Sequence, residues 1–198
     1  MARISKEARE KVRHRLLMSA ADHFARQGFS GANINQISLD AGFAKGTVYN
    51  YFSSKADLFS AVLSVGSEQT VTRYQQRGVV GDTRAHLRAL AEADVSLVRK
   101  HQSFMKVMVR ELLSADPAVQ ATINAGMRPL RVVVMKHLDA GQGAGTIRTD
   151  MSAKQLAGLF LWQLTAAYLQ HWRSDGRWPD WDAIPELVTS TFLDGAAR

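Results

Sequence analysis

Lys45, Gly46, Thr47, Tyr49, Asn50 and Tyr51 lie within one short stretch and carry groups suited to a polyanionic, base-bearing partner. An asparagine side chain can bond adenine at N6 and N7 together. Glycine lets backbone approach a partner closely, and tyrosine hydroxyls reach phosphate oxygens. Lys55 opens the next helical run, where free N–H groups and its own ammonium suit a further phosphate. On a helical wheel over Lys45 to Phe52, Val48 and Phe52 fall together and turn inward. Gly46, Thr47 and Asn50 lie opposite, Lys45 and Tyr49 flank one edge, and Tyr51 lies toward the other. A solvated polar face on an ordinary helical hairpin shows the same pattern, so spacing alone leaves both readings open.

The elements that position these residues are helical. All four prolines lie at 117, 129, 179 and 185, so residues 1–116 contain none. Leu17, Ala20, Ala21 and Phe24 recur at helical spacing, as do Ile34, Ile37 and Ala41, then Leu58, Phe59, Val62 and Leu63. The same spacing, through Val98, Met105, Met108 and Leu112, predicts helix over 84–113 in two pieces. No sustained alternation of period two is found, so no strand is predicted. A first helix ends at Gly28, a residue suited to a positive φ. A second starts with Asn33 as N-cap, Gln36 three residues later resembling a capping box. It ends at Ala41-Gly42, and a third runs from about Lys45 to Phe52. Two short helices joined by a glycine turn make a helix-turn-helix, whose second helix enters the major groove.

Composition narrows the alternatives. The 198 residues hold 25 Lys plus Arg against 18 Asp plus Glu, a net +7, and no cysteine. Disulfides, thiolate metal sites and a thiol nucleophile are excluded, and a reducing, cytoplasmic setting is expected. The charge is uneven. Residues 1–15 carry six basic and two acidic groups, 16–60 three of each, and 61–198 sixteen and thirteen. A basic N-terminal arm suits phosphate backbone, with Arg3 and Lys6 as candidates; a solvated tail is the other reading. The most apolar stretch, Leu156 to Leu169, is interrupted by Gln163 and Thr165 and falls short of the roughly 18 to 20 residues that span a bilayer. No membrane partner is expected. The six histidines form no i, i+4 pair, so no metal site is expected; with no P-loop, G-x-S-x-G or H-E-x-x-H, no cofactor is expected either.

The order Arg15-Leu16-Leu17, Ala20-Ala21, Phe24, Gly28-Phe29, Ile37, Ala41-Gly42-Phe43-Ala44-Lys45-Gly46-Thr47-Val48-Tyr49-Asn50-Tyr51-Phe52, Ser54-Lys55 and Leu58-Phe59 resembles the N-terminal domain of TetR-like transcriptional regulators. The match spans about 45 residues and is clearest from Lys45 to Lys55. The resemblance implies an all-α protein with a three-helix DNA-binding head (1–53), a connecting helix (54–77) and a larger helical domain for ligand binding and dimerisation (78–198). It also implies that Asn33, Lys45, Gly46, Thr47, Tyr49, Asn50, Tyr51 and Lys55 face DNA. Four positions depart from the family's usual residues. Ala44 stands for a capping Ser, at a cost of about 1 kcal/mol. Ser38 stands for Ala, Ala56 for Glu, and Asn33 for Thr or Ser.

Beyond residue 65 the reading is physical. The run Leu156 to Leu169 is apolar nearly all round and must be covered on more than one side. The next helix carries Ile184, Leu187, Val188, Thr191 and Phe192 on one stripe, with Pro185 in its first turn. With Leu159, Trp162, Ala166 and Leu169, these residues are the expected interface of a homodimer, the commonest symmetric assembly. A single buried core helix is the other reading. His101, Phe104, Met105, Met108, Trp162 and Tyr168 are candidates to line an effector cavity, with Gln163, His171 and Trp172 beside them; they equally suit core positions. Arg110 and Glu111 suit solvated or helix-pairing roles better.

The expected function is a homodimeric regulator bound to double-stranded DNA at a palindromic operator, a repressor released by a small-molecule effector of unknown identity. The alternative is an architectural protein that binds DNA without site preference. A helix-turn-helix used only for protein contact is a third reading. A helical enzyme is the rival from another class, and no convergent catalytic groups are found for it.

Overall fold

The computed structural model describes residues 6–113 and 116–194, which form nine α-helices, one 3₁₀ turn and, among the described residues, no strand. The helices are α1 (Lys6–Gly31), α2 (Ile34–Asp40), α3 (Lys55–Gln76), α4 (Thr83–Lys100), α5 (Gln102–Leu112), α6 (Pro117–Gly126), α7 (Arg128–Gly143), α8 (Ala153–Arg173) and α9 (Ile184–Asp194), with the 3₁₀ turn at Thr47–Asn50. Arg3 lies outside the described residues. No described helix is long and apolar enough to cross a membrane, and no group of three or more His, Cys, Asp or Glu gathers among the described residues.

The chain groups into two compact units. The first comprises the described parts of Met1–Val65 with His101–Met127, the second Gly66–Lys100 with the described parts of Arg128–Arg198. In the first, α1 buries Leu16, Leu17, Ala20 and Phe24, and α3 buries Leu58 and Phe59. Their rings form a cluster. Phe59 meets Phe24 at 4.8 Å, Phe29 at 5.3 Å and Phe104 at 6.2 Å between centroids. The regular α1 helix breaks at Gly28, whose φ of 73° and ψ of 178° suit only glycine. Glu111 of α5 accepts a hydrogen bond from the Phe29 N–H just past that break, at 3.4 Å.

In the second unit, α4 packs on α7 and α9, and α8 packs on α7 and α9. Ser152 and Gln155 make a reciprocal capping box at the start of α8. Two polar clusters sit inside. Asp94 of α4 is buried and accepts from the Tyr168 hydroxyl at 2.7 Å and from Thr70 at 3.3 Å. Nearby in sequence, Tyr74 of α3 shares its hydroxyl with His86 Nδ1 and His137 Nε2, each at 2.7 Å. A hydroxyl donates once, so Tyr74 donates to one imidazole and accepts from the other. The imidazoles stack with centroids 4.0 Å apart.

Burial, with the neighbouring His86 and Lys136 charges, pulls His137 down to about 4. In the unfolded chain it titrates near 6.5. The unfolded state therefore takes up the proton first as pH falls. The stability tied to the neutral ring is intact above pH 6.5 and is lost between there and about 4. Between pH 7 and 5 the loss should be about 1 to 2 kcal/mol, after allowance for solvent screening. Urea midpoints at the two pH values check this. His137→Gln should flatten the dependence, and an unchanged slope would sink the assignment.

Candidate nucleic-acid interface

α2 begins as its sequence requires. The Asn33 side-chain oxygen accepts from the N–H groups of Asn35 and Gln36, at 2.9 and 3.3 Å. The expected capping box does not close, because Gln36 donates instead to Asp40 at 2.7 Å. Asp40 also meets His23 Nε2 at 2.7 Å, and both partners hold its carboxyl below the usual range. α1 is thereby pinned to the end of α2. A second pin runs from the Ser19 hydroxyl to the Ile37 carbonyl at 3.0 Å.

The expected helix from Lys45 to Phe52 is a 3₁₀ turn of four residues instead. Gly46 adopts a left-handed φ of 79°, which keeps Lys45 and Gly46 out of the helical run. The N–H of Thr47 bonds the Ala44 carbonyl, Tyr49 bonds Gly46, and Tyr51 bonds Val48, all three residues back. Ser38 makes good the missing Ser at 44. Its buried Oγ accepts from the otherwise unmatched Val48 N–H at 3.2 Å.

Val48 and Phe52 are buried as the wheel indicates, and Lys45, Tyr49 and Asn50 are exposed. Tyr49 is 58% exposed, which leaves its hydroxyl open to a partner. Thr47 is half-buried, and its hydroxyl proton is spent on the Ala44 carbonyl at 2.7 Å. A phosphate oxygen only accepts, so Thr47 keeps acceptor capacity toward base donors and has no free hydroxyl proton for phosphate. Tyr51 is half-buried beneath Arg9, whose guanidinium carbon lies 5.7 Å from the ring centre. Lys55 departs from the phosphate role. Its ammonium donates to the carbonyls of Ser30 and Ala32 at 2.9 and 3.2 Å and lies 5.2 Å from the Phe29 ring centre. One N–H remains, and the main work of Lys55 here is to tie the end of α1 to the start of α3.

Arg9 and Arg13 enter the sequence reading only as part of the arm charge, and Arg15 only as part of that charge and of the motif, yet all three lie on α1. Arg13 sits 5.5 Å from the Phe52 ring centre and Arg15 4.8 Å from that of Phe43. Helical spacing places 9 and 13 on the face that carries Leu16 and Ala20, a signal visible in the sequence.

The six effector candidates do not gather within either unit. His101, Phe104, Met105 and Met108 belong to the first, Trp162 and Tyr168 to the second. Met108 is 2% exposed, and Phe104 belongs to the ring cluster around Phe59. Tyr168 is likewise 2% exposed and spends its hydroxyl on Asp94. Burial beside that carboxylate pushes the Tyr168 phenol well above its ordinary value. His171 is buried, bonds the Pro179 carbonyl at 2.8 Å and packs tilted against Trp181 with ring centroids 4.0 Å apart, fastening the loop before α9. Arg110 and Glu111 lie against the α1 break.

The dimer candidates divide. Ile184 and Val188 are corrected: at 0% and 4% exposed they fill the core of their own unit, because α9 packs against α4 and α8. Phe192 stacks edge-on to Phe160 at 5.3 Å and is half-buried. Leu159 and Trp162 stay 46% and 51% exposed, Ala166 and Thr191 are exposed, and Leu169 and Leu187 are half-buried.

A three-helix head with a capped second helix, a glycine turn and an outward polar edge defines a helix-turn-helix DNA-binding protein. The sequence profile described as "Bacterial regulatory proteins, tetR family" matches residues 16–62. Over 179 residues the chain is 26% identical to the transcriptional activator FasR of Mycolicibacterium smegmatis, covering 90% of this chain and 80% of that one. Over 190 residues it is 27% identical to the transcriptional repressor KstR2 of Rhodococcus jostii, covering 93% and 91%. The fold matches the crystal structure of the regulator FadR from Bacillus subtilis in complex with stearoyl-CoA, with a TM-score of 0.78 at 18% identity over 93% of this chain and 99% of that one. Residues 16–62 match the DNA-binding domain of TetR-family regulators, and over most of its length the chain is similar to TetR-type transcriptional regulators, which bind DNA.

Proposed function

We propose that the protein is a homodimeric repressor that occupies a palindromic operator and leaves it when a small molecule binds. The outward edge formed by Lys45, Tyr49 and Asn50, held by a head whose own core is closed, carries this reading. Lys45 and Tyr49 would contact phosphate, and Asn50 and the half-buried Gly46, which has no side chain in the way, would approach base edges. Asn33 keeps its amide N–H groups for a phosphate, since only its oxygen is spent on capping. Residues 1–53 would read DNA, 54–77 connect, and 78–198 carry dimerisation and ligand binding. α3 supports the coupling because it is one unbroken helix that starts in the first compact unit and ends in the second.

The repressor sign rests on occlusion, since a dimer seated on two half-sites blocks other use of that DNA. The likeness to FadR makes a long-chain acyl-CoA the first effector to test. A ligand shifts operator occupancy only through different affinities for the bound and released forms.

The test is selection of bound DNA from a random library, followed by titration of the selected site at fixed salt. A short palindrome is expected, and Tyr49→Ala with Asn50→Ala should reduce its affinity by roughly 100-fold or more, at about 1 to 3 kcal/mol for each lost contact set. Uniform retention of all sequences would identify the architectural alternative. Stearoyl-CoA is expected to release the operator; release by no small molecule that binds the protein would remove the ligand-responsive part.

A further inference from the structure

The inward face of α1 changes character along its length. Leu16, Leu17, Ala20 and Phe24 are buried there. Toward the N-terminus, the same helical stripe continues as Arg13, Arg9 and Lys6, spaced by four and three residues. Lys6 and Arg9 are exposed and Arg13 is half-buried. None of the three has a carboxylate partner among the described residues. Lys11, by contrast, pairs with Glu7 at 2.7 Å on another side of the helix. The stripe runs beside the 3₁₀ turn, because Arg9 lies over Tyr51 and Arg13 over Phe52.

Stacking on a ring holds a guanidinium by its face and leaves the N–H edge unspent. That edge is the group that forks a phosphate. Tyr51 brings a hydroxyl to the same place. We propose that α1 supplies a DNA phosphate-contact edge of its own, in which Arg9 and Tyr51 hold one phosphate together while Arg13 and Lys6 extend the contact along the backbone. The ring stack orients Arg9, so the phosphate finds the guanidinium already in position. This rests on the DNA-binding assignment and adds to it a clamp on the helix preceding the helix-turn-helix.

Operator affinity is measured as a function of salt for the wild type, Arg9→Ala, Tyr51→Phe and the double variant, with thermal melting alongside. Each phosphate neutralised contributes about 0.9 to the slope of log affinity against log salt. Arg9→Ala is expected to reduce the steepness by about 0.9 for each copy bound, and to weaken operator and unrelated DNA alike. Tyr51→Phe keeps the stack and should lower affinity without changing the slope. The double variant should lose less than the two single losses multiplied, since both residues serve one phosphate. A slope unchanged by Arg9→Ala, with wild-type binding intact, would overturn the proposal. So would relaxed base preference at one position, which would mark Arg9 as a base reader, or a lowered melting temperature with the slope retained, which would mark it as structural. Failure of the wild type to retain any DNA would instead overturn the assignment beneath it.

Discussion

Leu159→Asp is expected to leave the chain helical and to cost the protein its tight operator binding. Leu159 and Trp162 expose about half their surface on α8, one turn apart, and Ala166 continues the same face. Large apolar side chains grouped in the open mark an interaction surface. On the proposed reading of a two-fold operator, a second copy is the occupant that fits, since a two-fold interface meets itself. A carboxylate at its centre would be buried unpaired on association. The substitution itself falls on an exposed helical position, where the cost to the folded chain is about 0.5 to 1 kcal/mol. Losing the dimer removes the gain from linking two half-site contacts, roughly 100- to 10,000-fold in affinity. Sedimentation velocity and operator titration together check this. A variant that remains dimeric, or a monomer that binds as tightly as the wild type, would remove α8 from the interface.

The second large effect lies in the core. Asp94 is buried with two hydroxyl donors, and burial pushes its carboxyl up despite them. Its folded value lies above the unfolded one. The contribution to stability is therefore present below about pH 3.8 and is lost as pH rises through the folded value. Burial disfavours the charged form of Asp94, and the Tyr168 and Thr70 hydroxyls that donate to it offset part of that cost. Three substitutions separate these contributions. Tyr168→Phe takes away the shorter bond to a buried charge and should cost about 1.5 to 3 kcal/mol. Asp94→Leu leaves both hydroxyls without an acceptor and should cost about 2 to 4 kcal/mol. Asp94→Asn keeps an acceptor for Tyr168 and removes the charge, and should match or exceed the wild type at pH 7. Urea midpoints rank the three against the wild type; Asp94→Asn falling well below the wild type at pH 7 would show that the carboxylate itself is needed.

Tyr168 shows where sequence reading stops. An aromatic residue on an apolar helix suits a pocket wall and a core equally, and the spacing is identical in both. What distinguishes them is a carboxylate 74 residues away, and nothing local in the Ala-Glu-Ala-Asp stretch marks Asp94 as buried rather than solvated. Ile184 and Val188 fail for the same reason. Their stripe was read correctly as apolar, but the surface it packs on was its own α4 and α8. Lys55 looked like a free cation because carbonyl acceptors carry no sequence signal.

Where the controlling interaction is local, the residues spoke for themselves. Asn33 caps α2 because its side chain reaches N–H groups two and three residues on. α1 breaks at Gly28 because only glycine adopts that conformation. Val48 and Phe52 turn inward because an apolar pair one turn apart has one face to bury. The sequence by itself determined the all-helical fold, the helix-turn-helix and the polar edge, since each depends on periods and caps spanning a few residues. The tertiary structure decided the rest. The turn wound as 3₁₀ once Gly46 turned left-handed and Ser38 took the Val48 N–H. Lys55 spent its charge on backbone, and the arginines of α1 came to lie over Tyr51, Phe52 and Phe43. These outcomes are set by partners distant in the chain, whose proximity exists only after the helices pack.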